Sequence, residues 1–212
     1  MLAGDPLRDL RAYFAIGRVA FDVGKNNNIG LIYTDREFDG NFNRVGGFDA
    51  HFKLGKNWNF SWRSVVSATQ AGGYSFGSDH DGALVGDGQH FSFFANYQDI
   101  SPGFHTDTGF IRRTDIRRLN GYYHYYWRPK KSRVLLFGPE LNADRTYDHS
   151  GLGVEYSVNF DWAFALHGNI VFAPIVGMQS DTLRPVDFPG LTFNRKFSED
   201  FAGLIFRGSP LR

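Results

Sequence analysis

Apolar and polar residues alternate with period two along most of the chain. From Tyr13 one face reads Tyr13, Ala15, Gly17, Val19, Phe21 and Val23, while Phe14, Ile16, Arg18, Ala20 and Asp22 take the other. Successive side chains of a strand point to opposite faces, so such a run predicts a ribbon with one greasy side. A turn at Gly24-Lys25-Asn26-Asn27 leads to a second run, with Ile29, Leu31 and Tyr33 opposite Asn28, Gly30, Ile32, Thr34 and Arg36. Asp39-Gly40-Asn41 has hairpin-turn composition. In the third run Phe42, Gly46, Phe48, Ala50, Phe52 and Leu54 share a face with Arg44 as its only charge. Asn43, Val45, Gly47, Asp49, His51 and Lys53 lie opposite. After Lys56-Asn57, Trp58, Phe60, Trp62, Val66 and Ala68 oppose Asn59, Ser61, Arg63, Ser67 and Thr69.

The stretch from Gln70 to Gly88 is rich in Gly, Ser and Asp and reads as a long loop. Alternation resumes at Phe91, Phe93, Ala95 and Tyr97. It returns at Leu119, Gly121, Tyr123, Tyr125 and Trp127, opposite Arg118, Asn120, His124 and Arg128, and Pro129-Lys130-Lys131-Ser132 closes that run. Leu152, Val154, Tyr156, Val158, Phe160 and Trp162 form a last apolar face, which continues through Phe164, Leu166, Ile170 and Phe172.

These runs often reach ten residues or more, whereas strands of globular proteins cluster near five or six. Tilted strands that cross a membrane need about 9–11. The connections differ in size, from short turns to stretches of a dozen or more. Arg18, Asp22, Asp49, Lys53, Arg63 and Glu155 carry charge mid-strand on the polar face, and Tyr13, Trp58, Tyr97, Trp127 and Trp162 sit near strand ends. The expectation is an all-β fold: an antiparallel meander of long strands, part of a transmembrane outer-membrane β-barrel. It forms one incomplete barrel domain over residues 1–212, with 1–10 as a lead-in segment. The alternative is a soluble β-sandwich carbohydrate-binding module, whose strands alternate in the same way.

Composition sharpens this picture. Aromatics make up 17% of the chain and there are 25 Gly, a mix that favours pleated strands and tight turns. The formal charge of +1 gives no reason to expect a nucleic-acid partner. Without Cys there is neither a disulfide framework nor a thiolate metal site. No apolar run approaches the roughly 18 residues of a transmembrane helix. Mean hydropathy is −0.34, which barrel strands tolerate because they are half polar. The start, Met1-Leu2-Ala3-Gly4-Asp5-Pro6, is not a signal peptide, and the end, Gly208-Ser209-Pro210-Leu211-Arg212, lacks the terminal aromatic of a last barrel strand. Both lead to the expectation of a partial chain.

Three stretches carry a resemblance. They are Asn28-Ile29-Gly30-Leu31-Ile32-Tyr33-Thr34-Asp35-Arg36-Glu37, Asn43-Arg44-Val45-Gly46-Gly47-Phe48-Asp49-Ala50, and Gly109-Phe110-Ile111-Arg112-Arg113-Thr114-Asp115-Ile116-Arg117-Arg118. In this order they resemble the outer-membrane barrel domain of unknown function found in Gram-negative bacterial proteins. There it follows an N-terminal domain similar to family 9 carbohydrate-binding modules. The likeness runs from about Tyr13 to Trp162. It implies a Gram-negative outer-membrane location, outer-membrane lipid as a partner, and a carbohydrate-related role. It carries over no catalytic residues.

The densest charge feature is Arg112, Arg113, Asp115, Arg117 and Arg118. It reads as a guanidinium ladder for an anionic ligand, such as a sugar acid or a lipopolysaccharide phosphate, or else as an ion network with acids of neighbouring strands. Asp79-His80-Asp81 and the set Asp144, Asp148, His149 fall in expected loops, where carboxylates can bind Ca²⁺, but neither has EF-hand spacing and solvated loops are the plainer reading. No nucleophile elbow, zinc-protease motif or phosphate loop occurs. A glycosidase would need two carboxylates at defined separation, which sequence alone cannot pair. The reading is therefore a barrel segment acting as a pore or membrane anchor, with no catalysis and no cofactor or metal. A glycoside-processing enzyme is the third choice.

Overall fold

A computed structural model describes residues 10–208. The lead-in expected over 1–10 lies, Leu10 apart, outside the described residues. Eleven strands follow one another: β1 (Tyr13–Val23), β2 (Asn27–Phe38), β3 (Asn41–Leu54), β4 (Trp58–Gln70), β5 (Tyr74–Asp87), β6 (Phe91–Ile100), β7 (Ile116–Tyr125), β8 (Val134–Tyr147), β9 (Gly153–Leu166), β10 (Ile170–Leu183) and β11 (Arg195–Arg207). They form one antiparallel sheet in chain order, a meander, with β1 and β11 at its two ends. No helix occurs among the described residues. The all-β meander is as expected, with strands of 10 to 14 residues. At the β2–β3 turn, Asp39 and Gly40 both take positive φ (51° and 71°), as a two-residue hairpin turn demands.

Three expectations fail. The supposed loop Gln70–Gly88 contains the 14-residue β5, so Asp79, His80 and Asp81 are strand residues. Its glycines have a packing reason: a Cβ on Gly82 would lie 2.5 Å from the Trp62 ring, and one on Gly86 2.5 Å from the Trp58 ring. Each indole of β4 covers a glycine of β5, which supplies the surface that glycine lacks. Asp144 likewise lies in a strand, β8, and the run from Leu152 to Phe172 is two strands with a turn at 167–169.

The chain packs as two compact units. One comprises the described residues up to Lys53, Ser61–Gly82 and Gln98–Ile116; the other Leu54–Phe60, Ala83–Tyr97 and the chain from Arg117. In the first, a small apolar core of Val45, Val65, Ile100, Phe104 and Ile116, flanked by Ile32 and Ile111, is ringed by buried Thr34, Asn43, Ser67, Thr69 and Asp79. Its large apolar side chains Ile29, Leu31, Tyr33, Phe48 and Val66 are exposed. In the second, Thr146 and Asp161 are buried while Leu119, Leu141, Phe160, Val176, Leu204 and Phe206 are exposed. Both units thus bury polar side chains while leaving many large apolar ones exposed.

Candidate functional site

Three features stand out: a connection folded onto the polar face, a polar ladder, and an ordered apolar face. The first belongs to the first unit. The β6–β7 connection, residues 101–115, lies against the polar face of β2–β5. Asn43, with 0% exposure, holds it with one side chain. Its amide nitrogen donates to Thr69 Oγ1 (2.7 Å) and to the His105 carbonyl (3.0 Å), and its amide oxygen accepts from the Asp107 backbone N–H (2.9 Å). Ser67 Oγ accepts from the His105 N–H at 3.0 Å, and Thr108 donates to Thr34 at 2.9 Å. Arg36 pairs with Asp107 at 2.7 Å, and His105 Nε2 lies 2.7 Å from the other oxygen of that carboxylate. Phe104 is buried beside Val45 and Val65. Gly77 of β5 makes this seat possible, because a Cβ there would sit 2.1 Å from the Phe104 nitrogen.

The three stretches that carry the family resemblance meet at this seat. Ile32 comes from the first, Val45 from the second, Ile111 and Ile116 from the third, all in one cluster. The five predicted site residues do not form one ladder. Arg112, Arg113 and Asp115 belong to the connection, whereas Arg117 and Arg118 are on β7 and point to opposite faces. Arg118 is committed to Asp144 of β8 through two hydrogen bonds to Asp144 Oδ2, the Nε one at 2.7 Å. For Arg118 the structure favours the ion-network reading. The proposed Ca²⁺ ligands are also engaged: Asp79 with Arg63 at 2.9 Å, Asp148 with Ser150 and Leu152.

The polar face of the second unit carries a ladder that sequence reasoning missed. Glu140 of β8 and Asp161 of β9 are direct cross-strand partners. The Tyr126 hydroxyl donates to Glu140 at 2.7 Å, which leaves its oxygen to accept from His124 Nδ1 at 3.0 Å. Tyr122 stacks on His124 with ring centroids 4.5 Å apart. Asp161 is only 4% exposed, so this carboxyl is closed to a bulky substrate and the ladder reads as a structural network. Alternation marks His124 as polar-facing, but Glu140 lies on β8, where no run was expected, and only register brings these residues together. Among the described residues no group of three or more His, Asp and Glu is placed to hold a metal ion.

The apolar face of the second unit is ordered in rows across its strands. Trp127, Phe137, Phe164, Phe172 and Phe206 follow one another along a single register line. Trp127 stacks on Phe137 and on Trp162 (5.5 and 5.9 Å), Phe137 on Phe164 (6.2 Å), and Phe164 meets Phe172 (6.1 Å). Two rows on lies the purely apolar line Leu141, Phe160, Val176, Ala202, beginning at Tyr123. Next comes Gly121, Ala143, Val158, Met178 and Asp200, then Leu119, Arg145, Tyr156, Ser180 and Ser198, and finally Arg117 beside Tyr147. The face is aromatic at one edge, apolar in the middle, and charged at the other edge.

No family model, no curated protein and no solved structure matches the chain. The site's chemistry therefore rests on geometry.

Two acids in connections have shifted ionisation. Burial alone would raise Asp107, but hydrogen bonds from His105 and Arg36 outweigh it and hold its carboxyl below the usual 3.8. At Asp148 burial is likewise outweighed, by hydrogen bonds from the Ser150 hydroxyl, the Leu152 and Ser150 backbones and Arg184. A carboxyl depressed in the folded state stabilises the fold above its unfolded value and loses that contribution as pH falls through the folded one. Both connections are thus expected to loosen as pH drops below 3.8, before the strands do. Amide exchange at residues 104–108 and 148–152, corrected for the intrinsic rate, should rise there while β9 and β10 stay protected.

Proposed function

We propose that the chain is part of the wall of a Gram-negative outer-membrane β-barrel, serving as a pore or as the membrane anchor of a carbohydrate-associated surface protein. The observation that carries this reading is the row order of the apolar face in the second unit. A membrane-facing sheet needs an aromatic girdle at the interface, an apolar band of about 25 Å, and polar residues beyond it. From Leu119 to Trp127 the face runs nine residues, about 27 Å along the strand, within the 9–11 residues that a tilted membrane strand needs. In water each such large side chain left uncovered forgoes roughly 1.5–3 kcal/mol of burial, and hydrocarbon removes that cost. The resemblance in three stretches supports the same location. The connection seated by Asn43 lies where a lumenal constriction would be, on the wet face. No residue is given a catalytic role.

Fractionation of cells producing the parent protein tests the proposal. The chain is expected in the outer-membrane pellet, to resist a carbonate wash, and to need detergent for extraction. Recovery as a monodisperse species in detergent-free buffer would instead favour the soluble carbohydrate-binding sandwich.

A further inference from the structure

A groove of about 360 Å³ opens on the apolar face of the second unit. Its floor is made of small residues, Ala95 of β6, Gly121 of β7 and Ala143 of β8, and Tyr123 and Leu141 wall it. At its charged edge stands Arg145. The guanidinium lies over the Tyr147 ring at 4.3 Å and over the Tyr156 ring at 5.4 Å. A Cβ on Gly153 would come within 2.7 Å of Arg145 Nη2, so the glycine keeps that space open. Two aromatic faces and a glycine gap therefore fix the cation where the greasy rows end. Among the described residues it meets these rings and no carboxylate.

We infer that this groove is a binding site for one phosphate-bearing lipid of the surrounding membrane, an acyl chain lying over Ala95, Gly121 and Ala143 and the phosphate on Arg145. The inference rests on the membrane reading above. Two observations select this occupant. The lining is predominantly apolar, with Phe93, Ala95, Leu119, Leu141, Ala143 and Val158 outnumbering its polar side chains, which suits hydrocarbon better than a sugar. The one fixed cation sits at the polar end, where a lipid phosphate lies, and a guanidinium binds phosphate in a bidentate fashion. An uncharged lipid would leave Arg145 unused, and free phosphate would leave the groove empty.

The test uses the purified full chain in a non-ionic detergent, after confirming that it sediments as aggregate without detergent. If it is soluble without detergent, the membrane reading itself fails. With that passed, lipids retained in native mass spectrometry are compared for phosphatidylglycerol and diacylglycerol, which has the same acyl chains and no phosphate, with inorganic phosphate as competitor. Wild type is expected to retain phosphatidylglycerol about tenfold better than diacylglycerol, the size of one charge-assisted contact. Arg145→Gln should bring that ratio close to one, and Arg145→Lys should restore part of it. Ala143→Phe should abolish retention of both lipids by filling the floor; its strand content is checked by circular dichroism. An unchanged ratio in Arg145→Gln overturns the proposal. So does full competition by millimolar phosphate, or undiminished retention by folded Ala143→Phe.

Discussion

Replacing Phe48 with Arg is expected to reduce folding into lipid vesicles to a small fraction of wild type. Phe48 lies on the apolar face of β3, is 43% exposed, and faces Leu31 across the strand pair. A guanidinium near the middle of a bilayer costs about 2–4 kcal/mol, which converts to roughly thirty- to a thousandfold in the folding equilibrium. Phe52→Arg should act in the same direction. Asp49, between them, points the other way and pairs with Arg18 at 2.8 Å. Arg18 is more than half exposed, and such pairs contribute about 0–1 kcal/mol, so Asp49→Asn should be mild. Folded yield in vesicles, read by heat-modified gel migration, compares the three. Equal losses from Phe48→Arg and Asp49→Asn would reverse the assignment of faces.

Asn43→Ala carries the second large effect. It deletes three hydrogen bonds at once, a buried one to Thr69 and part-buried ones to the His105 carbonyl and the Asp107 N–H. An unmet polar group costs about 1–3 kcal/mol when buried, less where water reaches it, so at about 1 kcal/mol from each of the three the seat of the 101–115 connection should lose on the order of 3 kcal/mol. The connection carries Arg112 and Arg113, both trypsin sites. Cleavage there is expected to speed up a hundredfold or more, with the strands still intact by circular dichroism. An unchanged cleavage rate would show that this network does not hold the connection. Asn43→Asp keeps the acceptor for Asp107 N–H and loses the two donated bonds, so it should fall between the two.

Sequence reasoning found the strands where alternation was clean. The predicted run from Tyr13 matches β1, and those from Phe42 and Trp58 match β3 and β4 within a residue or two. It lost β5 because Gly, Ser and Asp signal a loop when read locally, and only pairing with β4 shows that Trp58 and Trp62 cover the glycines. It missed β8, where Gly138 and Pro139 interrupt the pattern, and ran β9 into β10 because the apolar phase passes through the turn unchanged. The charged cluster divides for another reason. Arg112 to Arg118 are neighbours in sequence, but the change from connection to strand at Ile116 sends them to different environments, and Asp144, 26 positions on from Arg118, takes one of them. Asn43 gave no signal as a lone polar residue in a strand, and the Glu140–Asp161 pairing depends on a register that turn lengths alone do not reveal.

The rim of charge on the second unit's apolar face has a geometric consequence. Its first outward charge is Arg117 on β7, one register line further along at Arg145 on β8, and two lines along at Asp200 on β11. Two lines are about 13 Å along a strand, and four strand spacings are about 19 Å. The boundary between apolar and charged rows thus crosses the hydrogen-bond direction at about 34°, close to the lean of about 35–45° from the membrane normal that strands of membrane barrels take. On the membrane reading proposed above, the order of residues across this surface already carries the tilt of its strands.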